Sequence, residues 1–142
     1  MITVNPYLNF PGNTEEAFNF YRSVFGGEFS MIQRFSDTPQ GEQMPEADRS
    51  KIMHIALPIA GGTTLMGTDA IESAGHKLTM GNNFHLTVHV ESETEADRIF
   101  AQLSDGANIS LPLQKMFWGA YFGMLTDKFG LQWMVSYDAP KN

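Results

Sequence analysis

The chain has 142 residues, of which 42% are hydrophobic and 18% are charged, so it can bury the core of a globular protein. Its formal net charge of −7 argues against a nucleic-acid partner, and its lack of cysteine excludes disulfides and thiolate chemistry. The sequence contains no apolar stretch of the roughly 20 residues that a membrane-spanning helix needs. Its first nine residues lack the basic region and the apolar run of a secretory signal peptide. We therefore expect a cytoplasmic protein with no membrane partner.

The first half of the chain predicts one strand, one helix and three further strands. Residues 1–10 are typical of a strand, and Asn13 with Glu16 forms the pattern of a capping box for a helix that begins near Thr14. The helix has an apolar stripe and ends at the pair Gly26-Gly27. Strands are predicted over residues 28–35, 51–59 and 63–68, with a tight turn at Gly61-Gly62 between the last two.

The second half repeats this order. A strand is predicted over residues 84–90, and Ser92 with Glu95 indicates a second capped helix that ends at Gly106. Three strands follow over residues 107–113, 118–125 and 131–137. The polar residues 36–50 are predicted to form a long surface loop. We expect one domain over residues 1–142, made of a module at 1–70, a linker at 71–82 and a module at 83–138.

A set of motifs that occur in order along the chain carries a resemblance to a known family. These motifs are Pro6-Tyr7-Leu8-Asn9-Phe10, Gly12-Asn13, Phe20-Tyr21, Phe117-Trp118, Phe122-Gly123, Thr126-Asp127 and Phe129-Gly130 with Trp133. In them the chain resembles the PhnB-like proteins of the vicinal oxygen chelate superfamily, which includes glyoxalase I, bleomycin-resistance proteins and extradiol dioxygenases. The resemblance implies an α+β fold in which two βαβββ modules form a curled mixed-sheet cup, and it implies a homodimer.

The resemblance also implies that catalytic members hold a metal through the first, fourth, fifth and eighth strands. The matching positions of this chain are Pro6, Gly67, His85 and Met134. Of these, only His85 can coordinate the hard divalent ions of glyoxalase-like chemistry, because proline and glycine have no donor and a thioether is a soft ligand. We expect no strongly held metal or other cofactor. A divalent metal held by His54, His85 and Asp69 is the alternative.

Five residues are predicted to contact a small-molecule ligand in the cup: His54, His85, Trp118, Phe122 and Met134. Each histidine alternates with apolar residues along its strand, which places it on the opposite strand face. Half-buried histidines with polar neighbours would show the same pattern. The aromatic residues could line an apolar wall of the cavity, although packing in the core or in a dimer would also explain them. Asp127 is expected to accept the amides of its own turn, and Trp133 is expected to be structural.

These observations favour a homodimeric, PhnB-like protein that binds a small organic molecule in an apolar cup. One alternative is a metal-dependent lyase, isomerase or dioxygenase of the same superfamily, so the sequence does not decide whether the protein is an enzyme. A second alternative is a drug-sequestering resistance protein, which the acidic residues Glu42, Glu46 and Asp48 would permit. Methyl transfer is not expected, because Gly61-Gly62 joins two strands, whereas a methyl donor needs a glycine-rich loop between a strand and a helix.

Overall fold

The computed structural model describes residues 1–140, which divide into two compact units, Met1–Thr79 and a second unit that begins at Met80. The first unit contains β1 (Tyr7–Phe10), α1 (Thr14–Phe25), β2 (Met31–Arg34), the short helix α2 (Glu46–Arg49), β3 (Ile52–Ile59) and β4 (Thr63–Asp69). The second contains β5 (Leu86–Val90), α3 (Glu93–Leu103), β6 (Asn108–Lys115), β7 (Ala120–Thr126) and β8 (Gln132–Asp138). None of the helices described is long and apolar enough to cross a membrane.

Each unit forms one four-stranded mixed sheet with the same strand arrangement. The order is β1-β4-β3-β2 in the first unit and β5-β8-β7-β6 in the second. In both units the first strand pairs in parallel with the last strand, and the other pairs are antiparallel. This arrangement confirms the predicted α+β class and the repeated βαβββ order.

The core of the first unit lies between α1 and one face of its sheet. Ala17, Phe18 and Tyr21 recur at helical spacing and are fully buried, as are the sheet residues Phe10 and Leu57. The rings of Phe10 and Phe18 meet edge to face at 6.2 Å, a favoured aromatic geometry. The amphipathic stripe of α1 therefore determines which face of the sheet the helix covers.

The start of α1 agrees with the prediction, but the predicted capping box is wrong. The side chain of Asn13 makes no capping hydrogen bond. Instead, Oδ1 of Asp69 accepts the Thr14 amide at 3.0 Å and the Thr14 hydroxyl at 2.6 Å. A carboxylate from the end of β4 thus occupies the amino end of the helix, where negative charge is favoured.

The first strand is shorter than predicted, because β1 begins at Tyr7 and not at residue 1. Pro6 lacks an amide proton and offers only its carbonyl, which accepts the Met66 amide at 3.1 Å. The carboxamide oxygen of Asn5, a side-chain atom, accepts the Thr64 amide at 3.0 Å. The regular ladder therefore stops at Tyr7.

The segment predicted as a surface loop has structure of its own. Beyond β2, a short 3₁₀ turn over Phe35–Asp37 ends the strand, because the Asp37 carboxylate accepts the Arg34 amide at 2.8 Å. Phe35 and Met44 are each 8% exposed and pack with Ile71, which the sequence assigned to the linker. Residues 36–50 therefore cover a small hydrophobic cluster, and the prediction that they form only a surface loop is wrong.

In the second unit, α3 covers one face of the sheet and begins as predicted. The Ser92 hydroxyl accepts the Glu95 amide at 3.0 Å, which is an ordinary N-cap.

The predicted strand over 118–125 is wrong at its start, since Trp118 lies in the turn between β6 and β7. The turn closes through the Met116 carbonyl, which accepts the Gly119 amide, and Gly119 has a φ of 98° that favours glycine.

Candidate functional site

Each sheet has one face covered by its helix and a second face, here called the helix-free face. In the first unit the strand register places on this face Tyr7, Asn9, Met31, Gln33, His54, Ala56, Met66 and Thr68. In the second unit it places there Thr87, His89, Phe122, Met124, Met134 and Ser136. Side chains alternate along a strand, so these residues point away from α1 and α3.

His54 lies on the helix-free face of the first unit, where it is half-buried. Its Nδ1 is 3.4 Å from the hydroxyl of Tyr7, and the two rings are 5.6 Å apart. At that distance the hydrogen bond is weak. Tyr7 is 46% exposed. The pair therefore offers polar atoms to a ligand as well as to each other.

Met134 lies at the centre of the helix-free face of the second unit. It pairs with Met124 on β7 and with Thr87 on β5. The Thr87 hydroxyl donates to the Met134 sulfur at 3.4 Å. Two adjacent thioethers give this part of the face a polarizable and adaptable surface.

Trp118 reaches Phe122 although it lies in the turn and not in the strand. Their ring centroids are 5.8 Å apart and tilted by 66°, and Phe117 contacts Trp118 edge to face at 5.1 Å. Trp118 is 54% exposed and Phe122 is half-buried. Trp118 and Phe122 therefore contact each other, and the indole is partly open to solvent.

His85 immediately precedes β5 and is half-buried. It lies two residues before Thr87 and four before His89, and therefore continues their alternation. The neighbouring Phe84 carbonyl accepts a hydrogen bond from the Gln132 side chain, which connects this part of the chain to β8. His85 thus lies two residues along the chain from Thr87, which pairs with Met134.

The two helix-free faces have almost no formal charge. Among the described strand residues on these faces, the one charged residue is Asp138, at the end of β8. Arg34 follows a register shift in β2, and its guanidinium bonds Glu15 of α1 on the helix-covered side. The chain as a whole has 16 acidic and nine basic residues. Charge is therefore largely absent from these faces, which instead carry aromatic, thioether, imidazole, amide and hydroxyl groups.

The four positions at which the family places metal ligands do not fit a hard divalent ion. Pro6 has no donor, and Gly67 faces α1, where an added Cβ would lie 2.6 Å from the ring of Phe18. Met134 supplies a soft thioether that already accepts a hydrogen bond. Within the part of the chain that the structure describes, no group of three or more His, Asp or Glu could hold a metal ion. The expectation of no strongly held metal stays a prediction.

The alternative ligand set of His54, His85 and Asp69 fails at Asp69. The strand β4 does extend to this residue, but the carboxylate is only 3% exposed and lies on the helix-covered face. Its Oδ1 binds Thr14, and its Oδ2 accepts the Ile52 amide at 2.8 Å. Asp69 is therefore a structural residue.

Two other carboxylates also have structural partners. As predicted, Oδ1 of Asp127 accepts the amides of Phe129 and Leu131 in its own turn. Its Oδ2 accepts the indole N–H of Trp133 at 2.7 Å, which confirms that Trp133 is structural. In the acidic segment, Asp48 accepts bonds from Lys51 and Ser73, and this reduces its availability for a basic drug.

Sequence reasoning missed Tyr7 as a member of the candidate surfaces. Tyr7 was assigned to a strand, and its alternation with Leu8 and Phe10 could have placed it opposite the core. The pairing of Met124 with Met134 depends on the register of β7 with β8, which one sequence does not determine.

Comparisons with known proteins identify relatives over nearly the whole chain. Protein YjdN of Escherichia coli (strain K12) is 30% identical, with 94% of this chain and 93% of that protein covered. The crystal structure of protein PA1353 from Pseudomonas aeruginosa is 34% identical with a TM-score of 0.85, and covers 97% of this chain and 98% of that one. The PhnB protein from Bacillus cereus is 28% identical with a TM-score of 0.78, and covers 96% and 99%.

A more distant structure supports the fold alone. The glyoxylase/bleomycin resistance protein/dioxygenase domain from Frankia is 13% identical with a TM-score of 0.68, over 100% of this chain and 96% of that one. The family model described as 3-demethylubiquinone-9 3-methyltransferase matches residues 3–136. The chain therefore belongs to this family of PhnB-like proteins, and it has the fold of the glyoxylase/bleomycin resistance protein/dioxygenase domain.

Proposed function

We propose that this protein binds a small, uncharged organic molecule through the helix-free faces of its sheets. The observation that carries the proposal is the near-absence of formal charge on these faces. Small-molecule sites are mostly apolar and contain a few placed polar groups. A face without Lys or Arg cannot pair with a phosphonate or carboxylate, so an anionic ligand would lose its hydration without compensation.

In the second unit, Trp118, Phe122 and Met134 supply the apolar contact. The Trp118 indole is 54% exposed, so part of it is available to a planar ring. Such an aromatic contact contributes roughly 0.5–1.5 kcal/mol beyond the buried area. The ligand is therefore expected to contain a planar or aromatic group.

Histidine supplies the polar contacts in this proposal. A neutral imidazole has one donor and one acceptor, so His85 beside the thioether surface can bind a carbonyl or a hydroxyl group. His54 with Tyr7 offers the same chemistry in the first unit. These side chains orient a ligand without requiring that it be charged.

The family description names a methyltransferase, but the glycine pair of this chain does not support that activity here. Gly61 and Gly62 both have a φ of 101° and form the turn between β3 and β4. A loop that binds a nucleotide-type donor joins a strand to a helix.

A homodimer is proposed on the family resemblance, and sedimentation at twice the monomer mass would support it.

The binding proposal is tested with a matched pair of probes, 2-naphthalenemethanol and 2-naphthoate, which share a ring system and differ in charge. Titrations followed by amide NMR should show saturable shifts on β7 and β8 with the alcohol and much weaker shifts with the carboxylate. Phe122→Ala should weaken alcohol binding about 3- to 10-fold, from the loss of one aromatic contact. Ile109→Ala is the control, because Ile109 is 44% exposed and pairs with Leu125 on the helix-covered face.

Tighter binding of the carboxylate, or equal losses in Phe122→Ala and Ile109→Ala, would refute the proposal.

The proposed lack of a strongly held metal has a separate test. Protein purified without chelator or affinity metal should contain much less than one equivalent of zinc, nickel, manganese or iron by elemental analysis. Divalent ions should leave its melting temperature unchanged, because an ion that binds the native state stabilises it by mass action. One equivalent of metal that disappears in His85→Ala would instead favour the metal-dependent enzyme.

A further inference from the structure

The second unit contains a cleft of about 500 Å³ on the side of the sheet that carries α3. Its position is defined by the amino end of α3 and by the ends of β6, β7 and β8. The side chains that matter for its chemistry are Ser92, Glu93, Lys115, Met116, Tyr121 and Tyr137. None of these residues belongs to the helix-free face used above, so this cleft is independent of the proposed function.

Two tyrosines form one wall of this cleft. Tyr121 on β7 pairs directly with Tyr137 on β8, so their rings are neighbours on the sheet. The Tyr121 hydroxyl donates to Oδ1 of Asp97 on α3 at 2.5 Å, and this bond fixes the orientation of its ring. The wall is therefore aromatic, and Asp97 holds its Tyr121 ring in place.

The electrostatic environment of the cleft is negative. The hydrogen bond to Asp97 raises the pKa of the Tyr121 phenol, and the charges of Asp97 and Glu93 raise it further. Residues 91–97 contain four carboxylates, which outweigh the partial positive charge of the amino end of α3. The Ser92 hydroxyl already accepts a helix amide. The cleft is thus unsuited to an anion.

Lys115 is the cation that lines this cleft, and it is weakly held. Its Nζ is 3.9 Å from Oε1 of Glu93, and its side chain is 83% exposed. An exposed ion pair of this length contributes little stability and is easily exchanged. A ligand cation can therefore displace Lys115 from Glu93 at small cost.

We propose that the Tyr121–Tyr137 cleft binds an organic cation, an alkylated ammonium group, whose charge is neutralised by Glu93 and whose methyl groups pack on the two tyrosine rings. Such a cation is attracted to the face of an aromatic ring by the ring's quadrupole. Met116 adds a polarizable apolar contact at the edge of the cleft. The combination of rings and one carboxylate selects an alkylated cation over a hydrated metal ion.

The probe is tetramethylammonium chloride, titrated into the full chain at constant ionic strength and followed by amide NMR. We expect saturable shifts at Ser92, Glu93, Tyr121 and Tyr137, and no comparable shifts with sodium or with tert-butanol, a neutral molecule of similar shape. Tyr137→Leu keeps the apolar bulk but removes the ring, and it should weaken binding about 2- to 5-fold, the equivalent of one exposed cation–π contact.

Charge variants decide the role of each lining group. Glu93→Gln should weaken binding about 5-fold or more, whereas Glu95→Gln, a change of the same charge in the same helical turn, should alter it less than about 2-fold. Lys115→Gln should strengthen binding, because it removes the competing cation. Equal effects of Glu93→Gln and Glu95→Gln, weaker binding in Lys115→Gln, or equal binding of tert-butanol would each overturn the proposal.

Discussion

Replacing Asp69 by alanine should destabilise the first unit more than any exposed charge substitution. Its carboxylate joins three elements, because it ends β4, accepts the amide and hydroxyl of Thr14 at the start of α1, and accepts the amide of Ile52 at the start of β3. The residue is 3% exposed, and Thr14 and Ile52 are buried as well. Water cannot replace these bonds without opening the structure.

The magnitude follows from the two amides that lose their acceptor. An unsatisfied buried donor costs roughly 1–3 kcal/mol, so Asp69→Ala should lower the free energy of unfolding by about 4 kcal/mol. Asp69→Asn retains one acceptor oxygen but turns an NH₂ group toward the other donor. It should therefore lose about half as much, roughly 2 kcal/mol.

The assay is urea unfolding followed by far-ultraviolet circular dichroism. Asp105→Ala is the control, because Asp105 also bonds a partner, Lys128, but its side chain is 73% exposed. This control should change the free energy of unfolding by less than about 0.5 kcal/mol. A loss below about 1 kcal/mol for Asp69→Ala, or a loss equal to that of the control, would show that the carboxylate does not hold the three elements together.

Two further predictions concern the first unit. Gly67→Ala should lower the melting temperature, because the new Cβ would lie 2.6 Å from the ring of Phe18 and overpacking costs roughly 1–3 kcal/mol. Adding Phe18→Leu to the same chain should recover part of the loss. If the double variant recovers nothing, this clash is not the cause. The hydrogen bond from Arg34 lowers the pKa of Glu15 in the folded protein. The stability that this bond contributes is therefore fully present above the ordinary pKa of glutamate, and it is lost as the pH falls through the lowered pKa of Glu15. The difference in melting temperature between the wild type and Glu15→Gln should therefore shrink toward about pH 3, and a difference that grows on acidification would contradict this assignment.

Local patterns in the sequence were sufficient for the helices and for the order of the strands. The stripe of α1 predicted its core face because the helical period depends only on residues a few positions apart. The capping box failed because the acceptor at Thr14 comes from Asp69, 55 residues away. A single sequence does not show such a distant partner.

The candidate surfaces were only partly predictable for the same reason. Strand alternation was enough to place His54 opposite the core, but it misplaced Trp118, whose turn depends on the positive φ of Gly119. The contact of Trp118 with Phe122 exists nevertheless, because the turn directs the indole back to the strand. The pairing of Met134 with Met124 required the register of two strands, which became visible only in the structure.

The parallel pairing of β1 with β4 has a consequence for how the chain is made. All four strands of the first sheet come from residues before Ala70. This sheet can therefore form while the second half of the chain is still inside the ribosome or not yet synthesised. Its last pairing joins Tyr7 to Met66 and closes the longest loop of that unit, which is the slow kind of contact to form. Synthesis from the amino end therefore gives the first unit time to close this loop before the strands of the second unit are available to compete for its edges.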